Sequence, residues 1–158
     1  GVHPGGDPDV LGWALANGAP ADAIADLGWL SRERTRALLW ECDVGLFPNR
    51  CEGGTNNVAQ EAMACGLPVI VSANTGHLDL IDGDNVFALA SQGPVPGPGR
   101  QDWGESAVDE MVETLERLYA DRAEARRRAA LGLAFIRRRT WRDFSDIVIN
   151  ATLGRHAR

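Results

Sequence analysis

Two glutamates, Glu52 and Glu61, flank an eight-residue stretch, GGTNNVAQ, that opens on Gly53-Gly54. Paired glycines let backbone approach a ligand closely, because no Cβ intervenes. From Thr55 or Asn56 onward the apolar residues fall at helical spacing. The first amides of such a helix lack intrahelical partners and point into the glycine loop. Together with the helix dipole they make an anion site suited to a phosphate or diphosphate. Helical side chains lean towards the N-terminus, so Glu61 reaches back towards the bound group. It would repel phosphate but accept hydrogen bonds from two adjacent hydroxyls, as on a ribose. Glu52, on the other side, could bind a second polyol. The arrangement suits a sugar nucleotide, with diphosphate over the loop, ribose at Glu61 and hexose near Glu52. The plainer alternative is a strand–loop–helix junction with Glu61 on a solvated face.

Other residues carry weaker signals. His77 follows Thr75-Gly76 and either contacts donor phosphate or sugar, or is a loop histidine. Arg50 pairs either with phosphate or with Glu52. Asn56 and Asn57 read as cap and first-turn residues, and either could touch the donor. Asp7-Pro8-Asp9 and Asp82-Gly83-Asp84 have an Asp-x-Asp spacing that can hold a divalent cation. Both sit in turn-forming sequence, so no metal is expected. Cys65 reads as a small packed residue, since no base is identifiable near it. His3 and His156, near the ends, carry no signal.

The 158 residues suit one domain with a real core. No apolar run approaches the ~20 residues of a membrane helix. GVHPGGDPDV is neither basic nor apolar, so it is no signal peptide. Three cysteines without close pairing point to neither a disulfide framework nor a zinc site, and fit a reducing cytoplasm. Net charge is -6, unevenly spread: residues 1–120 hold 18 acids and 6 arginines, residues 121–158 hold 4 acids and 10 arginines. The acidic body argues against a nucleic-acid partner. The arginine-rich end could contact an anionic membrane surface, or form a solvated helix face.

The elements that must position the glutamates follow from periodicity and punctuation. Asp9 to Asn17 reads as a helix stopped by Gly18. Ala25 to Trp29 is a short strand candidate. Ser31 opens a helix through about Glu41, with Leu38, Leu39 and Cys42 inward. Asp43 to Phe47 reads as a buried strand ended by Pro48. The site helix runs from about Thr55 to Cys65, with Gly66 past its end. Pro68 to Ser72 is a strand covered on both faces, and Val86 to Leu89 a weaker one. Gly93 to Gly104, rich in Pro and Gly, is expected to be a flexible loop. Residues 105–153 read as terminal helices. Ser106 with Asp109 reads as the capping pair of the first, which carries an apolar face of Val108, Met111, Val112, Leu115, Leu118 and Tyr119. The second helix spans about Ala123 to Arg138. The third starts near Thr140 and shows Phe144, Ile147, Val148 and Ala151. This order predicts an α/β fold, a Rossmann-like open parallel sheet flanked by helices.

The segment DVGLFPNRCEGGTNNVAQEAMACGLPVIVS resembles the donor-binding signature of retaining nucleotide-sugar glycosyltransferases of the GT-B type, which have two facing Rossmann-like domains. Pro48-Asn49, Glu52-Gly53, Glu61-Ala-Met-Ala-Cys-Gly66 and Pro68-Val-Ile carry the match. Gly76-His-Leu-Asp-Leu-Ile81 continues it, with Asp79 where the family has Glu. VDEMVETLERLYAD and the Thr140-Trp141 helix extend it towards the chain end. The resemblance implies sugar transfer from a nucleotide diphosphate sugar with retention and without a cofactor. Glu52 would face the donor sugar as the catalytic residue, Glu61 would hold the ribose, and backbone at Gly53, Gly54 and Thr55 the phosphates. The eight-residue spacing is one longer than the family's, so the loop bulges or Gly53 takes the first position. The resemblance also implies that two opening strands and an N-terminal acceptor domain are missing, so that residues 1–158 form a partial donor domain without turnover alone. The acceptor is not legible. Two rivals share the fold: a non-catalytic nucleotide-binding or interaction domain, and a nucleotide-sugar epimerase.

Overall fold

The computed structural model describes residues 9–154. His3, His156 and the Asp7-Pro8 pair lie outside them. The chain divides into a small unit, residues 1–35, and a larger one, residues 36–158.

In the small unit, helix α1 (Val10–Ala16) is capped by Asp9, whose Oδ1 accepts from Gly12 N at 2.7 Å. Gly18, at φ 88°, stops it as expected. The strand expected over 25–29 does not form. Asp26 Oδ1 accepts from Gly28 N at 2.9 Å, and Gly28 sits at φ 58°. An Asp side chain that satisfies a nearby amide offers the backbone an alternative to a ladder. Helix α2 (Arg32–Glu41) begins after Ser31. Leu38 and Leu39 are half-buried, but Cys42, expected inward, lies past the helix end and is exposed.

The larger unit holds strands β1 (Gly45–Phe47), β2 (Val69–Ser72) and β3 (Phe87–Leu89), all parallel in the order β1-β2-β3. Helix α3 (Asn57–Ala64) makes the crossover from β1 to β2. Strand β2 is wholly buried, because alternate residues feed two cores. Val69 and Val71 meet Ala59, Ala62, Met63 and Phe135 on one face. Ile70 meets Phe87, Leu89, Leu118 and Ala125 on the other. The expected buried strand over 43–47 is instead a short, partly exposed edge, since β2 covers only one of its sides.

The segment expected as a loop over 93–104 is anchored at both ends. Strand β4 (Gln92–Pro94) pairs antiparallel with β5 (Gly104–Ser106). The terminal helices therefore start at 108, as α4 (Val108–Ala120), α5 (Arg122–Ile136) and α6 (Trp141–Leu153). Ser106 does not cap α4; it is buried and donates to Ser72 Oγ at 2.8 Å. Of the expected α4 face, Met111, Leu115 and Leu118 pack inward. Val108, Val112 and Tyr119 stay exposed. Thr140 and Asp143 form a capping box at α6. Its Trp141, Phe144, Ile147 and Val148 are all exposed. No helix among the described residues is long and apolar enough to cross a membrane.

Candidate functional site

The loop from Pro48 to Asn56 lies between the carboxyl end of β1 and the N-terminus of α3, the place where open α/β sheets bind ligands. Asn56, not Thr55, is the cap: its Oδ1 accepts from Ala59 N at 3.0 Å. That bond fixes the amide, so Nδ2 faces His77 Nε2 at 2.9 Å. Nε2 therefore accepts, and the imidazole carries its proton on Nδ1. His77 is 0 % exposed, and Nδ1 has no hydrogen-bond partner. Burial pushes its pKa below the ordinary value, against weaker upward pulls from Glu52 and the nearby Ser72 carbonyl. His77 is thus a neutral ring behind the cap rather than a group at the surface.

Thr75 and Gly76 hold the loop from the β2 side. Thr75 Oγ1 accepts from Glu52 N at 2.8 Å, and Gly76 N donates to Glu52 O at 3.1 Å. A Cβ on Gly76 would stand 1.5 Å from Gly54 O. By contrast, a Cβ on Gly53 or Gly54 would meet nothing within 4 Å. Both glycines are exposed, so the space above them is open. Among the described residues no group accepts from the N–H of Gly53, Gly54 or Thr55. Unpaired amides beside a helix N-terminus are donors that an anion can use.

Asn74 ties this loop to the hairpin. Its Nδ2 lies 3.0 Å from Asn49 O, 2.9 Å from Gln92 Oε1 and 3.0 Å from Gly104 O. Arg50 pairs with Glu105 across the same junction, not with Glu52. Glu52 is half-buried, with Asn49 Nδ2 at 3.4 Å from Oε2. Glu61 is exposed on α3 and shares a stripe with Asn57 one turn nearer the cap. The structure thus gathers Glu52, Gly53, Gly54, Thr55, Asn56 and His77 around the loop. Glu61 stands apart, with no hydrogen bond to them among the described residues. Asn74, Thr75 and Gln92 were not singled out by type or spacing, and only Thr75-Gly76 next to a strand end hinted at them.

Asp82 and Asp84 flank Gly83 at φ 58°, a turn. Asp84 pairs with Arg127 and Arg128, and Asp82 lies 3.9 Å from Arg138. No cluster able to hold a metal occurs among the described residues. Burial raises the Cys65 thiol, against the pull of Arg36 and with that of Glu61, so it packs as a thiol.

Solved structures share this fold. Sucrose-phosphate synthase from Thermosynechococcus elongatus is 23 % identical at a TM-score of 0.63, over 87 % of this chain and 32 % of that one. HepE from Anabaena, in complex with UDP-glucose, is 22 % identical at a TM-score of 0.60, over 81 % of this chain and 31 % of that one. The chain spans about a third of the length of these structures. No curated protein matches the sequence. The family described as "Family 4 Glycosyltransferase in conflict systems" matches residues 30–147, most of the chain. On that match, with the parallel sheet and glycine loop in place, the chain belongs to the family 4 glycosyltransferases of conflict systems.

Proposed function

We propose that the chain supplies the donor-binding part of a retaining glycosyltransferase, which moves a hexose from a nucleotide diphosphate sugar to an acceptor. The observation that carries this is the row of free N–H groups at Gly53, Gly54 and Thr55, next to the α3 N-terminus. They would take the diphosphate, with no metal called for. Glu61, on the exposed stripe it shares with Asn57, would lean back towards the cap and accept from the ribose hydroxyls. Glu52, fixed through its backbone, would face the sugar. HepE is a relative in fold that was solved with UDP and with UDP-glucose, which favours a uridine nucleotide as the first probe. Transfer also needs an acceptor site, proposed to lie on a further domain, so the chain alone is expected to bind donor without turnover. The free cysteines fit a reducing cytoplasm.

Calorimetric titration with UDP, GDP and ADP tests this. One of them should bind, equally well with EDTA present. Glu61→Ala should weaken that binding about tenfold, the loss of one charged hydrogen bond. No binding of any of the three would sink the proposal, and so would an unchanged affinity in Glu61→Ala for the assignment of the ribose.

Helix α6 favours a second contact. Trp141 is 85 % and Ile147 67 % exposed, on a helix that follows the exposed Arg137, Arg138 and Arg139. We propose that this end meets an anionic membrane surface, aromatic face inward and arginines at the headgroups. The chain should float with vesicles containing phosphatidylserine and not with neutral ones. Trp141→Ser should abolish flotation. Equal recovery with both kinds of vesicle refutes the charge argument.

A further inference from the structure

We infer that Thr75 is a positioning residue: it holds a strained backbone so that its hydroxyl clips the glycine loop in a phosphate-ready shape. The inference rests on the donor-binding proposal above.

Among the described residues Thr75 is the non-glycine residue with positive φ, at 39°. A β-branched side chain is a poor choice for that region, and such strain persists where surrounding bonds over-determine it. Here the bonds are visible. Thr75 Oγ1 donates to Asn74 Oδ1 at 3.0 Å and accepts from Glu52 N at 2.8 Å. The hydroxyl is thereby used in both directions. Asn74 is in turn fixed by the hairpin through Gln92 and Gly104. The next residue, Gly76, takes the Glu52 carbonyl and lies against Gly54 O. Both polar backbone groups of Glu52 are therefore spent on the clip. Directly after it, the loop leaves the N–H groups of Gly53, Gly54 and Thr55 without an acceptor among the described residues. A glycine at 75 would adopt the same φ without strain but would release Glu52 N.

That contrast separates positioning from mere stability. Thr75→Gly trades a lost hydrogen bond for relieved strain, so its melting temperature should stay near that of the wild type. Its affinity for UDP should fall about tenfold, since a loosened loop must be ordered on binding. Amide hydrogen exchange at Glu52 should accelerate in the same variant without any ligand. Thr75→Ser keeps the hydroxyl and should restore both affinity and slow exchange. Unchanged Glu52 exchange in Thr75→Gly overturns the clip. Faster exchange with unchanged UDP affinity overturns its role in binding. If the wild type fails to bind UDP, GDP or ADP, the donor proposal falls, and with it the binding role; the exchange result then decides the clip alone.

Discussion

Gly76→Ala should lower the melting temperature by about 2–12 °C and abolish nucleotide binding. The Cβ it adds would stand 1.5 Å from Gly54 O, 2.7 Å from Gly54 C and 2.9 Å from Glu52 O. These are backbone atoms, so no side chain can swing aside to make room. Either the glycine loop moves outward or the turn after β2 does. Overpacking of this kind costs ~1–3 kcal/mol, and each kcal/mol shifts the midpoint of a chain this size by about 2–4 °C. Outward movement also breaks the bond from Gly76 N to Glu52 O, which holds the loop that carries the free amides. Gly53→Ala and Gly54→Ala are the controls. Their added Cβ atoms would meet nothing within the protein, so both should fold as the wild type does. Their effect should appear only in nucleotide affinity, where the new methyl occupies ligand space. Scanning calorimetry and UDP titration of the three variants give the comparison. If Gly76→Ala melts with the wild type while binding UDP normally, the close approach has no bearing on the loop.

The glycines illustrate how much of the molecule the sequence discloses. Gly53 and Gly54 were legible as a pair ahead of a helix, and the helix itself followed from apolar spacing and from Gly66. The central strand was legible because an unbroken apolar run bounded by Pro68 has few other uses. What lay beyond reach depended on contacts distant in sequence. Ser106 looks like a cap until its hydroxyl is seen bonded to Ser72. Gly93 to Gly104 looks like a free loop until Asn74 is seen bonded to both Gln92 and Gly104, and Gly104 N to the Arg50 carbonyl. Ala25 to Trp29 has the apolar residues of a strand, but the turn chemistry of Asp26 and Gly28 prevails. At the site, residue types announced Glu52 and Glu61, but the groups that shape the loop are Thr75, Gly76 and Asn74. Their part is geometric, a backbone angle and a close approach, and residue type alone does not encode it. Family resemblance bridged part of that gap, since it fixed the fold through motif order rather than through local propensity.

The buried pair of Asn56 and His77 should govern how stability depends on pH. Asn56→Ala removes the α3 cap, worth about 1 kcal/mol. It also leaves His77 Nε2 buried without a donor, a further ~1–3 kcal/mol. Denaturant melts near neutral pH should therefore show the variant ~2–4 kcal/mol less stable than the wild type. The direction of the pH effect follows from the ring. In the folded chain the His77 pKa lies below its ordinary 6.5, chiefly through burial. Below that value the unfolded chain binds a proton that the folded chain refuses, so stability falls as pH drops through 6.5 towards the folded pKa. Asn56→Asp should reverse this. An aspartate still caps α3, and its second oxygen accepts from a protonated Nε2. The folded pKa then rises above 6.5, and the added stability is present below that pH and lost as pH climbs through the raised value. Urea midpoints measured between about pH 5 and 8 should thus slope upward with pH in the wild type and downward in Asn56→Asp. His77→Gln, which cannot titrate, should flatten the wild-type slope. Parallel slopes in the wild type and Asn56→Asp would mean that Asn56 does not set the charge state of His77.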